Sequence, residues 1–212
     1  MAAARTSADA PVLVPALTAL AWQLRQRDTT RCLALVEEAE HVMARPHLSA
    51  MNQPWPAQRL PLIRAEARWL AGDHAAAQDL AQGTLQRIND TGGQALADTL
   101  GRADAHWLLG MIATAQGHIE IAKAELERMA QLSESIDPTR CLIAQGTLAR
   151  LATFRDAAAA KARWWDYLPQ DLELLHPAAA AVVCEYRSHV AFNSSDYAQA
   201  IRCFGLTAGT TP

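Results

Sequence analysis

The stretch Asp104-Ala105-His106-Trp107-Leu108-Leu109-Gly110-Met111-Ile112-Ala113-Thr114-Ala115-Gln116-Gly117-His118-Ile119-Glu120-Ile121-Ala122 carries the fold. Its first part is rich in Ala and Leu, which favour helix over strand. Gly117 then punctuates the run, and a small-residue helix opens after it. The stretch therefore reads as helix, tight turn, helix.

The turn recurs. Arg27-Asp28-Thr29-Thr30-Arg31-Cys32, Gly72-Asp73-His74-Ala75-Ala76-Ala77, Arg155-Asp156-Ala157-Ala158-Ala159-Ala160 and Ser195-Asp196-Tyr197-Ala198-Gln199-Ala200 share its layout. With the small residue as anchor (Cys32, Ala77, Ala122, Ala160, Ala200), the copies are spaced by 45, 45, 38 and 40 residues. Four residues before each anchor stand Asp28, Asp73, His118, Asp156 and Asp196; four after stand Val36, Ala81, Leu126, Trp164 and Phe204. An Asp there can cap the next helix by accepting from its free N–H groups. A small anchor lets two helices approach, and the apolar residue one turn later covers the same face. Three matched columns predict an all-α chain of about five antiparallel helix hairpins.

Leu109-Gly110, Ala113, Gly117, Ala122 and Leu126, with Ser195-Asp196-Tyr197, Ala200-Ile201 and Phe204, resemble the tetratricopeptide repeat. The resemblance implies hairpins stacked as a right-handed superhelix. At the position of that family's first-helix Gly, repeats one and four carry Leu20 and Leu148, a departure from the pattern. The spacing also exceeds the family's usual ~34 residues, which implies longer helices. Residues 1–11 read as a flexible leader, 12–206 as the repeat domain and 207–212 as a tail. Pro11 and Pro15 cut the first apolar stretch, and Arg45 to Pro56 is the longest linker. Gly205-Leu206-Thr207-Ala208-Gly209 after Phe204 is a poor helix continuation, and solenoids normally end in a polar capping helix. The expectation is a piece of a longer parent.

Composition narrows the function. Of 212 residues, 50% are hydrophobic, which excludes a disordered chain. Net charge is -3 with no Lys/Arg run, so nucleic acid has no electrostatic footprint. No apolar stretch approaches the ~20 residues of a membrane span, and no signal peptide is legible. Cys32, Cys141, Cys184 and Cys203 are scattered, which reads as reduced thiols in a cytoplasmic protein without a zinc site.

Candidate chemistry is thin. Glu38-x-x-His41 has di-iron spacing, but a di-iron bundle needs two such motifs and further carboxylates. Glu185 and His189 are one helical turn apart and read as a surface pair. No Gly-x-Ser-x-Gly elbow or phosphate-binding Gly loop occurs. The expectation is a chain with no catalytic residues, cofactor or metal.

The tetratricopeptide register implies instead a binding face. It places Trp69 and Trp107 on the first-helix face of the groove, with Arg59, Glu66, Asp104, Gln145, Glu185 and His189. Aromatics beside Arg and carboxylates suit capture of a protein or peptide. The bland alternative is that both Trp seal adjacent repeats, as most of Trp22, Trp164 and Trp165 should. Self-association is a second mode open to such an array. The opening hairpin, Leu20 to Ala39, resembles sensor regions N-terminal to diguanylate cyclase domains, although the cyclase Gly-Gly-Asp/Glu-Glu-Phe motif is absent. That resemblance implies a regulatory input domain; the alternative is a free-standing adaptor or co-chaperone-like scaffold.

Overall fold

A computed structural model describes residues 10–45, 54–92, 95–167 and 177–209. These residues form ten helices and no strand. The chain divides into two compact units, with the boundary after Ile112.

The first unit holds α1 (Ala10–Leu24), α2 (Thr29–Met43), α3 (Pro54–Leu70), α4 (His74–Asp90) and most of α5 (Leu96–Ala115). The helices α1 and α2 pack as one hairpin, and α3 and α4 as a second. Between the hairpins, Leu17 and Ala21 of α1 and Cys32, Val36 and Ala39 of α2 receive Leu60 and Ile63 of α3. The next layer repeats the scheme: Ala65, Ala77 and Ala81 lie against Ala105, Leu108 and Ile112 of α5. Small residues on one helix admit large ones on the next, as close packing requires.

The second unit begins with the last turn of α5 and holds α6 (Ile119–Ser133), α7 (Pro138–Ala152), α8 (Ala157–Tyr167), α9 (Pro177–Asn193) and α10 (Tyr197–Gly209). Here α6 packs on α7, α7 on both α8 and α9, and α9 on α10.

All five anchors are buried, from Cys32 to Ala200. The capping column works as its chemistry suggests. Asp28, Asp73, Asp156 and Asp196 accept from the N–H groups of Arg31, Ala76, Ala159 and Gln199 at 2.9, 3.2, 2.9 and 3.2 Å. His118 makes no such bond. In every copy the anchor N–H donates to the cap carbonyl, so the five second helices start in one register.

The first helices do not share that register, and the turns explain why. Gly72, Gly117 and Ser195 have φ of 81°, 78° and 61°. Each turn closes with the N–H of the following residue reaching back five positions, to Arg68, Ala113 and Ala191. That bond and the shorter one beside it make a Schellman ending. Arg27 and Arg155 lack positive φ, and their turns close over four positions, Asp28 to Leu24 and Asp156 to Ala152. The tighter turn shifts the preceding helix by one residue. The small first-helix position is therefore Ala21, Ala65, Gly110, Ala149 and Ser188, all buried. The assignment of Leu20 and Leu148 to that position is corrected: Leu20 is exposed and Leu148 only half-buried. Cys32 confirms the shift, its Sγ meeting the Ala21 carbonyl at 3.2 Å.

Two expected helix ends also move. A single helix spans Pro11 and Pro15. In α3, Pro61 likewise sits inside the helix. The carbonyl it cannot pair, four residues back, belongs to exposed Ala57, where water can satisfy it. At the other end α10 runs past Phe204 to Gly209. Gly205 weakens a helix by about 1 kcal/mol relative to Ala, too little to end one that Leu206 and Ala208 favour.

Candidate binding face

In the first unit, the expected groove residues divide into buried and accessible. Arg59, Glu66 and Asp104 are buried. The Arg59 guanidinium pairs with the Asp104 carboxylate, both side chains largely removed from water. Glu66 Oε2 accepts from Arg25 Nε at 2.8 Å, and its Oε1 from Gln26 Nε2 at 2.5 Å. Trp22 joins the two pairs, with the guanidinium carbons of Arg25 and Arg59 at 4.0 and 4.1 Å from its ring centre. Six side chains, from α1 and the turn after it, from α3 and from α5, thus form one polar layer.

Burial pushes the Glu66 carboxyl pKa up. The Arg25 charge and the hydrogen bonds from Gln26 and Arg25 pull it down without cancelling that effect, and Asp104 adds to the rise. Paired charges of this kind contribute little net stability, yet removing one partner strands the other. The layer therefore fixes the spacing of α1, α3 and α5.

Trp69 and Trp107 are half-buried and lie edge-to-face, centroids 6.1 Å apart and planes at 79°. Both pack against the cluster of Ala65, Ala81, Leu108 and Ile112. Trp107 Nε1 is buried and meets no acceptor. The pair thus seals a repeat junction and keeps part of its surface accessible.

In the second unit, Gln145 is half-buried and lines a cavity of about 270 Å³ between α6, α7 and α8. Leu148 and Ala152 give it an apolar wall; Lys123 and Arg155 stand at its rim. Arg155 pairs with Glu120, also a lining residue, while Lys123 lies 3.9 Å from Glu127. Glu185 and His189 lie 3.9 Å apart on the exposed side of α9, and the His189 ring meets Phe204 edge-on at 6.0 Å.

Sequence reasoning missed Arg25, Gln26 and Trp22 as members of the polar layer. The charge pattern held a clue, since Arg25 falls one helical turn after Ala21, as Trp69 does after Ala65. The one-residue turn difference obscured it. The side chains of Trp164 and Trp165 lie outside the described residues.

Among the described residues no three His, Cys, Asp or Glu side chains converge as metal ligands. All four thiols are free and buried. Burial pushes Cys32 up to about 11 and raises Cys184 and Cys203, so each stays a thiol at neutral pH. No helix among them is long and apolar enough to cross a membrane.

No known family and no curated protein matches the chain. A solved structure does, titled "Crystal structure of BtubC (BKLC) from P. vanneervenii". The similarity covers 99% of this chain and 91% of that one, with a TM-score of 0.58 and 16% identity. At that identity the likeness concerns the fold alone. The chain shares an all-helical repeat architecture with it.

Proposed function

We propose that this chain is a protein- or peptide-binding regulatory module, with the first-helix face around Trp69 and Trp107 as its capture surface. The observation that carries this reading is the Trp69–Trp107 pair, half-buried and set on helices that a buried charge layer holds in place. Aromatic side chains on a rigid support lose little entropy on binding, which is why they dominate interface hot spots. Arg59, Glu66 and Asp104 act from below as supports. Gln145, Glu185 and His189 offer polar contacts on the second unit. A signalling input role rests on the resemblance of the opening hairpin to cyclase-linked sensor regions; catalysis has no assigned residue in this reading.

Peptides selected by display on the intact chain provide the test. Trp69→Ala should weaken their binding by about thirty-fold, the equivalent of ~2 kcal/mol. Trp69→Phe, which keeps an aromatic against Trp107, should retain most of the affinity. Folded Trp69→Ala and Trp107→Ala variants that bind those peptides as the parent does would sink the reading.

A further inference from the structure

The small first-helix positions Ala21, Ala65, Gly110, Ala149 and Ser188 give a common frame for all five first helices. Five residues before them stand Ala16, Leu60, Ala105, Ala144 and Val183; two before stand Ala19, Ile63, Leu108, Thr147 and Tyr186. In α3, α5, α7 and α9 the earlier column is buried throughout. The later column is buried at Ile63, Leu108 and Thr147 and half-buried at Tyr186. In α1 both positions are exposed, and Val12 one turn further back is 74% exposed. The face that α3 seats on α1 and α2, and that α5 seats on α3 and α4, is open to solvent on α1.

The opposite face is open on α10. Val36, Ala81 and Leu126, four residues after their anchors, are fully buried. Phe204 holds that position in α10 and is 46% exposed. Tyr197 and Ile201 flank it on the same stripe, 57% and 71% exposed. Exposed Phe192 meets the Tyr197 ring edge-on at 5.6 Å. Exposed large apolar side chains grouped at one end of the chain are the kind of surface that marks an association site.

The two faces are reciprocal in size. Where α2 offers Val36 and Ala39, α3 supplies Leu60 and Ile63. Between α6 and α7 the sizes reverse: Leu126 and Met129 are buried on one, Ala144 and Thr147 on the other. Bulky Phe204, at the position of Leu126, calls for small residues opposite, and Ala16 and Ala19 on α1 are small. The geometry points to head-to-tail self-association, in which the α9–α10 end of one copy seats the α1 face of a second copy as α2 seats α3. The contact joins two different surfaces, so a copy seated through one face still carries the other for a further copy.

Three substitutions test this in the full chain. Ala16→Glu places a charge on the α1 face and Phe204→Glu on the α10 face, with Ile201→Glu as a second α10 variant that disturbs less packing. Sedimentation velocity from low micromolar to millimolar protein should show the parent growing beyond two copies with concentration. Each variant should stay a monomer with an unchanged helical spectrum. An equimolar mixture of Ala16→Glu with Phe204→Glu, or with Ile201→Glu, should form a dimer and stop there, because each partner keeps one working face. A parent that stays monomeric, a single variant that still self-associates through like faces, or a mixture that stays monomeric would each overturn the proposal.

Discussion

The first-helix surfaces of the two units solve the same problem with different chemistry. In the first unit, charge is sunk between helices: Arg59 pairs with Asp104 and Arg25 with Glu66, around Trp22. In the second, the pairs on α9 and beside the cavity stay near water, Glu185 with His189 and Arg155 with Glu120. The apolar core there is left to residues such as Val183 and Val190. A buried pair is indifferent to salt and intolerant of losing a partner, whereas an exposed pair contributes little either way. The first unit is thus the stiffer support for an aromatic anchor, and the second the more accessible surface.

The sharpest way to break that contrast is to remove one member of each pair. Asp104→Ala should cost about 3–5 kcal/mol in urea unfolding, because Arg59 keeps its charge in a buried site. Glu185→Ala should change stability by less than about 0.5 kcal/mol. Equal effects would show that the layer around Trp22 does not fix the spacing of α1, α3 and α5. Between these extremes lies a packing test in the second unit. Ala122 is fully buried at its anchor, and Ala122→Leu should overpack it and cost about 1–3 kcal/mol. A variant that melts with the parent would remove the anchor column from the account of the fold.

The contrast extends to pH, with opposite signs. Folding raises the Glu66 pKa, so the native state binds more protons than the unfolded chain as pH climbs past the ordinary Glu value of about 4.3. Its contribution to stability is fully present below that value and is lost as pH rises through the folded pKa. Asp196, half-buried and hydrogen-bonded by Lys161 and the Gln199 N–H, has a lowered pKa. Its contribution is present above the ordinary Asp value and is lost as pH falls through the folded pKa. Glu66→Gln should therefore flatten the decline of stability above the ordinary carboxylate range, and Asp196→Asn the decline below it. Chemical unfolding at a series of pH values reads both; a Glu66→Gln profile parallel to the parent's would contradict the assigned cause.

How far the sequence exposes these features depends on the range of the interaction. The second helices were legible because their signals are local: an Asp cap, a small residue four positions on, an apolar residue four beyond that. Burial of every anchor follows from that pattern. The first-helix register was legible only where a Gly marked the turn, as at Gly72 and Gly117. At Arg27 and Arg155 the chain makes a tighter turn, and counting back a fixed twelve residues lands on Leu20 and Leu148 instead of Ala21 and Ala149. The charge layer was less legible still. Arg25 and Glu66 lie on different helices, and nothing local distinguishes a buried Glu from a solvated one. Trp69 and Trp107 were placed together by register, while their edge-to-face contact depends on rotamers that spacing does not encode.

The smallest effect tests the turn rule itself. Ser195 is the non-glycine residue with positive φ among those described, and it occupies the place that Gly72 and Gly117 hold in their turns. A side chain in the left-handed region costs roughly 1–2 kcal/mol, because Cβ crowds the following carbonyl oxygen. Ser195→Gly removes that crowding, while the greater freedom of glycine in the unfolded chain takes back up to about 1 kcal/mol. The net expectation is a gain of at most about 1 kcal/mol in urea unfolding. Arg27→Gly should show the opposite sign. Its turn closes over four residues without positive φ, so glycine there relieves nothing and keeps only the entropic penalty. The pair of signs is the test. If both variants gained stability, or both lost it, the difference between four-residue and five-residue closure would not be what sets the first-helix register.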